Sequence, residues 1–247
     1  MTSDARRPII LPFHLFLVLS LSLLCFILAV LFHQTQVDVS LARLFYTGGA
    51  KWLYQDSFWT ETILHKGGMK LIIIGFSIYI LKFIYELYQK KLTREQKVEK
   101  IYFLLTYILT VTVIGLLKKQ TTLPCPWHVK EFDGPRDFQA IWTLFNSLYP
   151  KGNCFPAGHA SAGYGLFVLY FAKSLYQRSS LKYLLPALTL GLIFGISQQF
   201  RGAHFLSHDL ITVTLCLLLP LTVTYTLHFL RKRCACLSGK RSKIFKS

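Results

Sequence analysis

Residues 184–209 of this chain are LLPALTLGLIFGISQQFRGAHFLSHD, an uncharged apolar run followed at once by a polar cluster. The run from Leu184 to Phe200 approaches the length of about 20 residues that an α-helix needs to cross a bilayer. A second apolar run, from Leu210 to Leu230, follows the cluster directly. This pattern predicts two membrane-spanning helices joined by a short link that carries arginine, histidine and aspartate side chains.

The rest of the chain also consists of long apolar blocks and polar links. Hydrophobic residues make up 53% of the chain and charged residues only 16%, which argues against a water-soluble domain, where about 25% of residues are charged. We therefore predict an all-α polytopic membrane protein with six transmembrane helices. A cleaved signal peptide is the alternative for the first block, but the length of that block favours a retained span. The predicted spans are Ile9 to Phe32, Lys70 to Leu87, Ile101 to Leu117, Ala157 to Tyr176, Leu184 to Phe200 and Leu210 to Leu230.

Membrane topology explains most of the formal net charge of +17. If the amino terminus is cytoplasmic, the cytoplasmic side receives most of the Lys and Arg residues, among them Arg6, Arg7 and those of the tail from Arg231 to Ser247. This positive-inside bias predicts that both termini are cytoplasmic. Membrane lipids are therefore expected partners, and nucleic acid is not.

Two long segments fall on the outer side of this topology. Residues 34–69 are rich in aromatic side chains, which predicts helices that lie in the headgroup region. Residues 118–156 contain several Pro and Gly and are predicted to be mostly loop. Cys125 and Cys154 lie at opposite ends of this loop, and the sequence leaves a disulfide between them open. We divide the chain into two amino-terminal spans with the outer segment (1–98), a core of four spans (99–230) and a basic cytoplasmic tail (231–247).

Three polar clusters meet on the outer side, although hydropathy and charge alone define the spans. The first begins at Lys118, at the end of the third span. The second is Pro156-Ala157-Gly158-His159, and the third runs from Arg201 to Asp209. Ionisable residues at span ends are costly and tend to mark function. We therefore expect these clusters to form one site.

The residue types in these clusters suit a phosphate ester. Lys118 and Arg201 supply fixed positive charge, and the forked guanidinium of arginine matches phosphate oxygens. The second cluster opens a helix, so the amides at Ala157 and Gly158 are candidates to hold an oxyanion. His159 and His204 would divide phosphoester cleavage into two steps. One histidine would attack phosphorus and the other would protonate the leaving oxygen.

A metal site is the main alternative for the third cluster. His204 and His208 are four residues apart, as two zinc ligands on one helix face would be, and Asp209 is adjacent. No cysteine or second acidic cluster completes a metal shell, and the nearby cationic side chains would oppose a divalent ion. We therefore predict no metal and no cofactor. Structural roles are assigned to His14, His33, His65, His128, His228 and Asp133.

At these clusters the chain resembles the type-2 phosphatidic acid phosphatase superfamily, which shares its core with bacterial acid phosphatases and vanadium haloperoxidases. The family pattern is K-x6-R-P, P-S-G-H and S-R-x5-H-x3-D, and the resemblance covers roughly Ile101 to Leu230. The first motif begins at Lys118 and has Cys125 in place of its arginine. The second motif has Ala157 in place of serine. In the third, Gln198 replaces the arginine and the aspartate position is held by His208, one residue before Asp209.

The resemblance implies a metal-free mechanism in which His204 forms a phosphohistidine and His159 protonates the leaving group. Lys118, Arg201 and the amides near Gly158 would stabilise the transferring phosphoryl group. Arg201 lies one helical turn beyond Gln198, so we expect it to compensate for the lost arginine. His208 or Asp209 would orient His204, because a shift of one residue turns a side chain by about 100° around a helix.

The sequence therefore predicts a lipid phosphate phosphatase that acts at the outer face of a bacterial inner membrane, with its site facing the periplasm. One alternative is a phosphotransferase that moves phosphate between lipids, such as from isoprenyl diphosphate to lipid A. A second is a non-catalytic lipid-binding relative that lost two arginines and the aspartate position. Vanadium-dependent halide oxidation is disfavoured because the corresponding arginine set is missing.

Overall fold

The computed structural model describes residues 12–176 and 181–244, and it describes side chains from Phe13 to Arg233 within those ranges. The two strands, β1 (Tyr46–Gly48) and β2 (Lys51–Trp52), form an antiparallel hairpin, and a π-helix (Phe58–Gly67) leads directly into α3. Short 3-10 helices cover Pro126–His128, Lys130–Phe132, Ile141–Thr143, Gly165–Phe167 and Leu181–Tyr183. The α-helices α1 to α8 are Pro12–Gln34, Val37–Arg43, Gly68–Tyr88, Arg94–Gln120, Gly158–Tyr164, Val168–Ser174, Leu185–Phe200 and Leu206–Ile244.

The fold is that of a mostly helical membrane protein, as the sequence predicts. Large apolar side chains cover the outer surface of the long helices; Leu71 of α3, for example, is 70% exposed. Among the described residues, five helical stretches are long and apolar enough to cross a membrane. These are Phe13–Gln34, Phe58–Tyr88, Arg94–Gln120, Leu181–Phe200 and Leu206–Arg233.

The predicted span from Ala157 to Tyr176 is not among these five stretches. It consists of three short consecutive segments, α5, the 3-10 turn Gly165–Phe167 and α6, rather than one long helix. The six-span topology and the cytoplasmic termini stay predictions. Residues 1–11, with Arg6 and Arg7, and residues 245–247 of the predicted tail lie outside the described residues.

Several predicted boundaries differ from the structure. The second candidate span begins at Phe58 rather than Lys70, because the π-helix continues into α3 without a break. Helix α4 begins at Arg94 because Thr93 caps it. The Thr93 hydroxyl accepts from the Gln96 amide at 3.2 Å, and the Gln96 side chain accepts from the Thr93 amide at 2.9 Å. Helix α8 extends past the predicted end at Leu230.

The outer segment is only partly helical, which corrects the prediction for residues 34–69. Helix α2 and the π-helix are present, but the hairpin lies between them. Its turn contains Gly48, Gly49 and Ala50, all with positive φ, and glycine adopts this conformation without strain. Aromatic composition indicates an interface but not the backbone conformation, so the turn residues decide the local structure here.

The segments α5 and α6 form the centre of the helical core. Tyr164, Tyr170 and Phe171 are fully or almost fully buried there. Glycine allows this close packing: a Cβ atom on Gly163 would lie 2.4 Å from the backbone nitrogen of Gly191 in α7. The end of α5 is therefore packed closely against α7.

An aromatic layer covers the outer end of this core. Trp52 of β2, Phe132 of the long loop and Phe205 of the α7–α8 link pack in one buried cluster. The disulfide that the sequence left open is formed between Cys125 and Cys154, whose Cα atoms are 5.3 Å apart. This layer ties the hairpin and the 118–156 loop to the link that carries His204.

Candidate active site

The α7–α8 link and the first turn of α8 hold a pair of buried histidines. His204 is 4% exposed and His208 is fully buried. Their Nδ1 atoms are 3.4 Å apart, and the two rings meet edge to face. One of these two nitrogens must carry the hydrogen if the contact is a hydrogen bond. A neutral His204 that donates from Nδ1 has an unprotonated Nε2, the form that a nucleophile requires.

Asp209 faces a different neighbour. Its Oδ2 accepts from Gln199 Nε2 at 2.5 Å, and its carboxylate lies against Gly195, where an added Cβ would be 2.7 Å away. Both of these residues belong to α7. The structure therefore brings His208 to His204 and turns Asp209 away to α7, as a rotation of about 100° per residue would do.

Lys118 and Gly158 lie side by side at the outer ends of α4 and α5. A Cβ atom on Gly158 would be 3.3 Å from Lys118 Cδ and 3.8 Å from its Nζ, so glycine leaves room for the lysine. Within the described part of the chain, no ion pair to an acidic side chain is found for Lys118. Gly158 is the first residue of α5, so its N–H has no acceptor within the helix. The N–H of Ala157, in contrast, already donates to the His208 carbonyl at 3.4 Å.

His159 lies under the π-helix. Its Nε2 is 3.3 Å from the Leu64 carbonyl, and its ring centroid is 4.9 Å from that of His65 and 5.0 Å from that of Phe194. His65, which the sequence assigns a structural role, therefore stands beside a predicted catalytic histidine. Nothing in the spacing of residues 58–67 indicates this neighbour.

Arg201 is buried and has acceptors on all three of its nitrogens. Its Nε donates to the Gln55 carbonyl at 3.0 Å and its Nη1 to Gln198 Oε1 at 3.1 Å, while its Nη2 forms an ion pair with Glu61. Arg201 therefore contacts the side chain that replaces the family arginine, and its compensation for that arginine stays a prediction. Glu61 is a residue that sequence reasoning missed, because no motif surrounds it.

A second polar group supports the start of α8 from behind. The Ser207 N–H donates to Asp38 Oδ1 at 3.0 Å, and Asp38 Oδ2 is 3.3 Å from His33 Nδ1. His33 Nε2 is 2.8 Å from the Gln139 carbonyl. His33 and Asp38 are almost fully buried, and through the Ser207 N–H this group fixes the backbone at the start of α8.

The electrostatic surroundings of His204 favour its neutral form. Burial lowers the pKa of His204 well below its ordinary value, and the nearby positive charge of Lys118 lowers this pKa further. A neutral imidazole retains a free lone pair at neutral pH. This is the state in which a histidine can act as a nucleophile.

His128 and Asp133 belong to the long loop. Asp133 accepts hydrogen bonds from the Tyr46 hydroxyl and, at 3.1 Å, from the Gly49 amide, so it attaches the loop to the hairpin. The first of these bonds lowers the pKa of Asp133. This contact agrees with the structural role predicted for Asp133. Across residues 12–176 and 181–244, no group of three or more His, Cys, Asp or Glu residues is arranged to hold a metal ion.

Comparison with known proteins gives one match. The model of the PAP2 superfamily matches residues 99–232, which is more than half of the chain and includes Lys118, His159 and the His204–His208 pair. No curated protein and no solved structure matches the chain.

Proposed function

This chain belongs to the PAP2 superfamily, and from that premise we propose that it removes phosphate from a lipid phosphate through a phosphohistidine intermediate. Membership supports a function of the phosphatase or phosphotransferase type. The observation that carries the finer proposal is the buried His204–His208 contact, because it would leave Nε2 of His204 free for attack.

His208 takes the orienting role that the family gives to an aspartate. As a neutral imidazole it accepts a hydrogen bond from His204 Nδ1–H and fixes the tautomer of that ring. Its own Nε2 has no hydrogen-bond partner among the described residues. Asp209 is not needed for this role, since its carboxylate contacts Gln199.

The reaction has two steps. In the first, His204 Nε2 bonds to phosphorus while the bond from phosphorus to the lipid oxygen breaks, and His159, which must enter this step as an imidazolium, gives that oxygen a proton and becomes neutral. In the second, His159 takes a proton from water, the water oxygen bonds to phosphorus, and the bond to His204 breaks. Lys118 and the Gly158 amide stabilise the negative charge on the phosphoryl oxygens in both steps.

Two apolar grooves support a lipid rather than a water-soluble substrate. One, of about 410 Å³, lies between α3 and α4 and includes Gly115, Gly158 and Ser161 in its lining. The other, of about 600 Å³, lies between the π-helix and α7 and includes Leu64 and Ser197. Both grooves begin at residues next to the site, so an apolar chain in either one has its phosphate close to His204 and Lys118.

We further propose that the site faces the outer side of a bacterial inner membrane, where the positive-inside bias would put it. A phosphotransferase is the second candidate, and it differs only in the acceptor. A lipid hydroxyl or phosphate, instead of water, would take the phosphoryl group from His204. The remaining alternative, a non-catalytic lipid-binding relative, requires that the protein release no phosphate from any lipid.

Phosphate release tests the proposal. The experiment compares the purified wild type with His159→Ala, His204→Ala and Arg201→Ala on a panel of lipid phosphates in detergent, with and without a chelator. The proposal expects release from at least one lipid, no effect of the chelator, and a loss of roughly 1,000-fold or more in His204→Ala. Release that survives in His204→Ala, or that the chelator abolishes, would contradict it.

A further inference from the structure

The site has lost both family arginines, so its phosphate affinity depends on how Arg201 is held. Cys125 is in a disulfide and Gln198 is uncharged, and neither can replace a guanidinium. Arg201 is only 7% exposed. A long, flexible arginine contributes most to binding when its orientation is fixed before the ligand arrives.

We propose that Glu61 is a positioning residue that holds the Arg201 guanidinium in the orientation in which it binds the substrate phosphate; the inference rests on the proposed function. A guanidinium has five N–H donors. The Gln55 carbonyl accepts from Nε and Gln198 accepts from Nη1, while Nη2 is ion-paired with Glu61; among the described residues, at least one N–H on each Nη therefore has no acceptor. Two such donors match two phosphate oxygens.

Glu61 is itself fixed on both carboxylate oxygens. Its Oε1 is 2.8 Å from Lys66 Nζ, and its Oε2 is 3.3 Å from His65 Nδ1 as well as being paired with Arg201. The π-helical hydrogen-bond pattern joins residues five apart, the spacing of Glu61 and Lys66. The Arg201 and Glu61 side chains are 9% and 20% exposed, so their ion pair is partly shielded from water, whereas the Lys66 side chain is 63% exposed. The carboxylate therefore behaves as a fixed support for the guanidinium.

A carboxylate on a guanidinium has one other reasonable role, that of a competitor which phosphate must displace. The two roles predict opposite effects when the charge of Glu61 is removed. If Glu61 supports Arg201, removing its charge weakens phosphate binding. If Glu61 competes with phosphate for Arg201, removing its charge strengthens phosphate binding. Glu61→Gln keeps the size of the side chain and removes only the charge, so it separates the two roles.

The test measures the binding of inorganic phosphate by titration calorimetry on the full chain in detergent. The Kd for phosphate is expected to rise about tenfold in Glu61→Gln and by at least as much in Arg201→Ala. The double variant should be no weaker than Arg201→Ala alone, because Glu61 acts through that arginine. Glu131→Gln, which removes an exposed loop carboxylate, is the matched control and should leave the Kd unchanged.

Catalysis gives a second readout. With dioleoyl phosphatidic acid in mixed micelles, Glu61→Gln should raise KM, and kcat should change by a smaller factor than KM. If Glu61→Gln does not purify in folded form, Glu61→Asp replaces it. This variant keeps the charge on a shorter side chain and should weaken phosphate binding by less than Arg201→Ala.

Three results would overturn the inference: tighter phosphate binding in Glu61→Gln, an unchanged Kd in Glu61→Gln or its Glu61→Asp replacement, or additive losses in the double variant. No phosphate binding by the wild type would also overturn it. Failure of the proposed function can be distinguished from failure of this inference, because calorimetry measures phosphate binding without turnover. A wild type that binds phosphate in a Glu61-dependent way but releases none from lipid contradicts only the catalytic proposal.

Discussion

The region matched by the family, residues 99–232, and the segment before it, residues 33–68, contribute to the site in different ways. The matched region carries the side chains that we assign to chemistry, His159, His204 and Lys118. The earlier segment carries none of these, yet it contacts the matched region at several points around them. Its contacts are Asp38 with Ser207, Trp52 with Gly202, Gln55 and Glu61 with Arg201, and Leu64 with His159.

The difference shows how contacts from outside a motif can accompany changes within it. Where the matched region departs from the family pattern, the replacement residue has a partner that the motif does not include. Gln198 accepts from Arg201, which in turn pairs with Glu61 of the earlier segment. The start of α8, which carries His208, is attached to Asp38. The earlier segment thus contacts the surroundings of two divergent positions, Gln198 and His208, whereas Cys125 is bonded to Cys154 within the matched region.

The largest expected effect lies inside the matched region and separates His208 from Asp209. In His208→Ala, His204 loses the ring that faces its Nδ1, so kcat should fall roughly 100-fold. Asp209→Asn keeps the size of a side chain that contacts α7, and it should lower kcat much less. The measurement is phosphate release at saturating lipid phosphate, with melting temperature as the control for folding. A larger loss in Asp209→Asn would assign the orienting role to the carboxylate.

The second prediction tests the supporting role of the earlier segment. Asp38→Ala removes the acceptor of the Ser207 N–H and the partner of His33, both buried, so it should cost about 1–3 kcal/mol of unfolding free energy. Thermal unfolding in detergent should show a lower melting temperature. Asp56→Ala, which removes an exposed carboxylate of the same segment, is the matched control and should show no change. Equal melting temperatures for the two variants would show that Asp38 does not support α8.

The third prediction concerns the groove between α4 of the matched region and α3, the helix that follows the earlier segment. A Cβ atom on Gly75 or Gly115 would meet nothing within 4 Å, so the space beside each glycine can accept a side chain. Gly75 lines a second cavity, of about 330 Å³, that shares Phe76 with the groove at Gly115. Gly75→Leu and Gly115→Leu should raise KM for a long-chain lipid phosphate about tenfold. KM for a dibutyryl analogue should not change. Equal effects on both substrates would argue that the lipid chain lies elsewhere.

The smallest expected effect is on the pH dependence of stability. Burial by both regions depresses the pKa of folded His204, while in the unfolded chain it is about 6.5. Below pH 6.5 the imidazole of His204 binds a proton in the unfolded chain but not in the folded protein. The contribution of the neutral, buried His204 to the free energy of unfolding is therefore present above pH 6.5 and is lost as the pH falls towards the pKa of the folded state. The melting temperature should therefore drop between pH 7 and 5, and it should drop less in His204→Gln. Identical drops would show that His204 is not buried in its neutral form.

The sequence predicts more about the matched region than about the earlier segment. Hydropathy located the long helices, and the polar clusters with the family motif predicted His204 as a site residue with either His208 or Asp209 as its partner. The position of Arg201 one helical turn beyond Gln198 predicted compensation for the lost arginine, whereas the contact between the two side chains came from the structure. Glu61, His65 and Asp38 could not be predicted as site residues, since tertiary packing alone brings them to the site from distant positions. The choice of His208 over Asp209 likewise needed the packing of α8 against α7.

The proposed phosphohistidine intermediate is tested most directly by identifying the phosphorylated residue. The wild type, turning over a lipid phosphate labelled on phosphorus, is quenched in alkali, digested and analysed by mass spectrometry. The account predicts phosphate on the imidazole of His204, acid-labile and stable in alkali, and no labelled peptide from His204→Ala. Phosphate on another residue, or turnover with no labelled enzyme at any quench time, would contradict it.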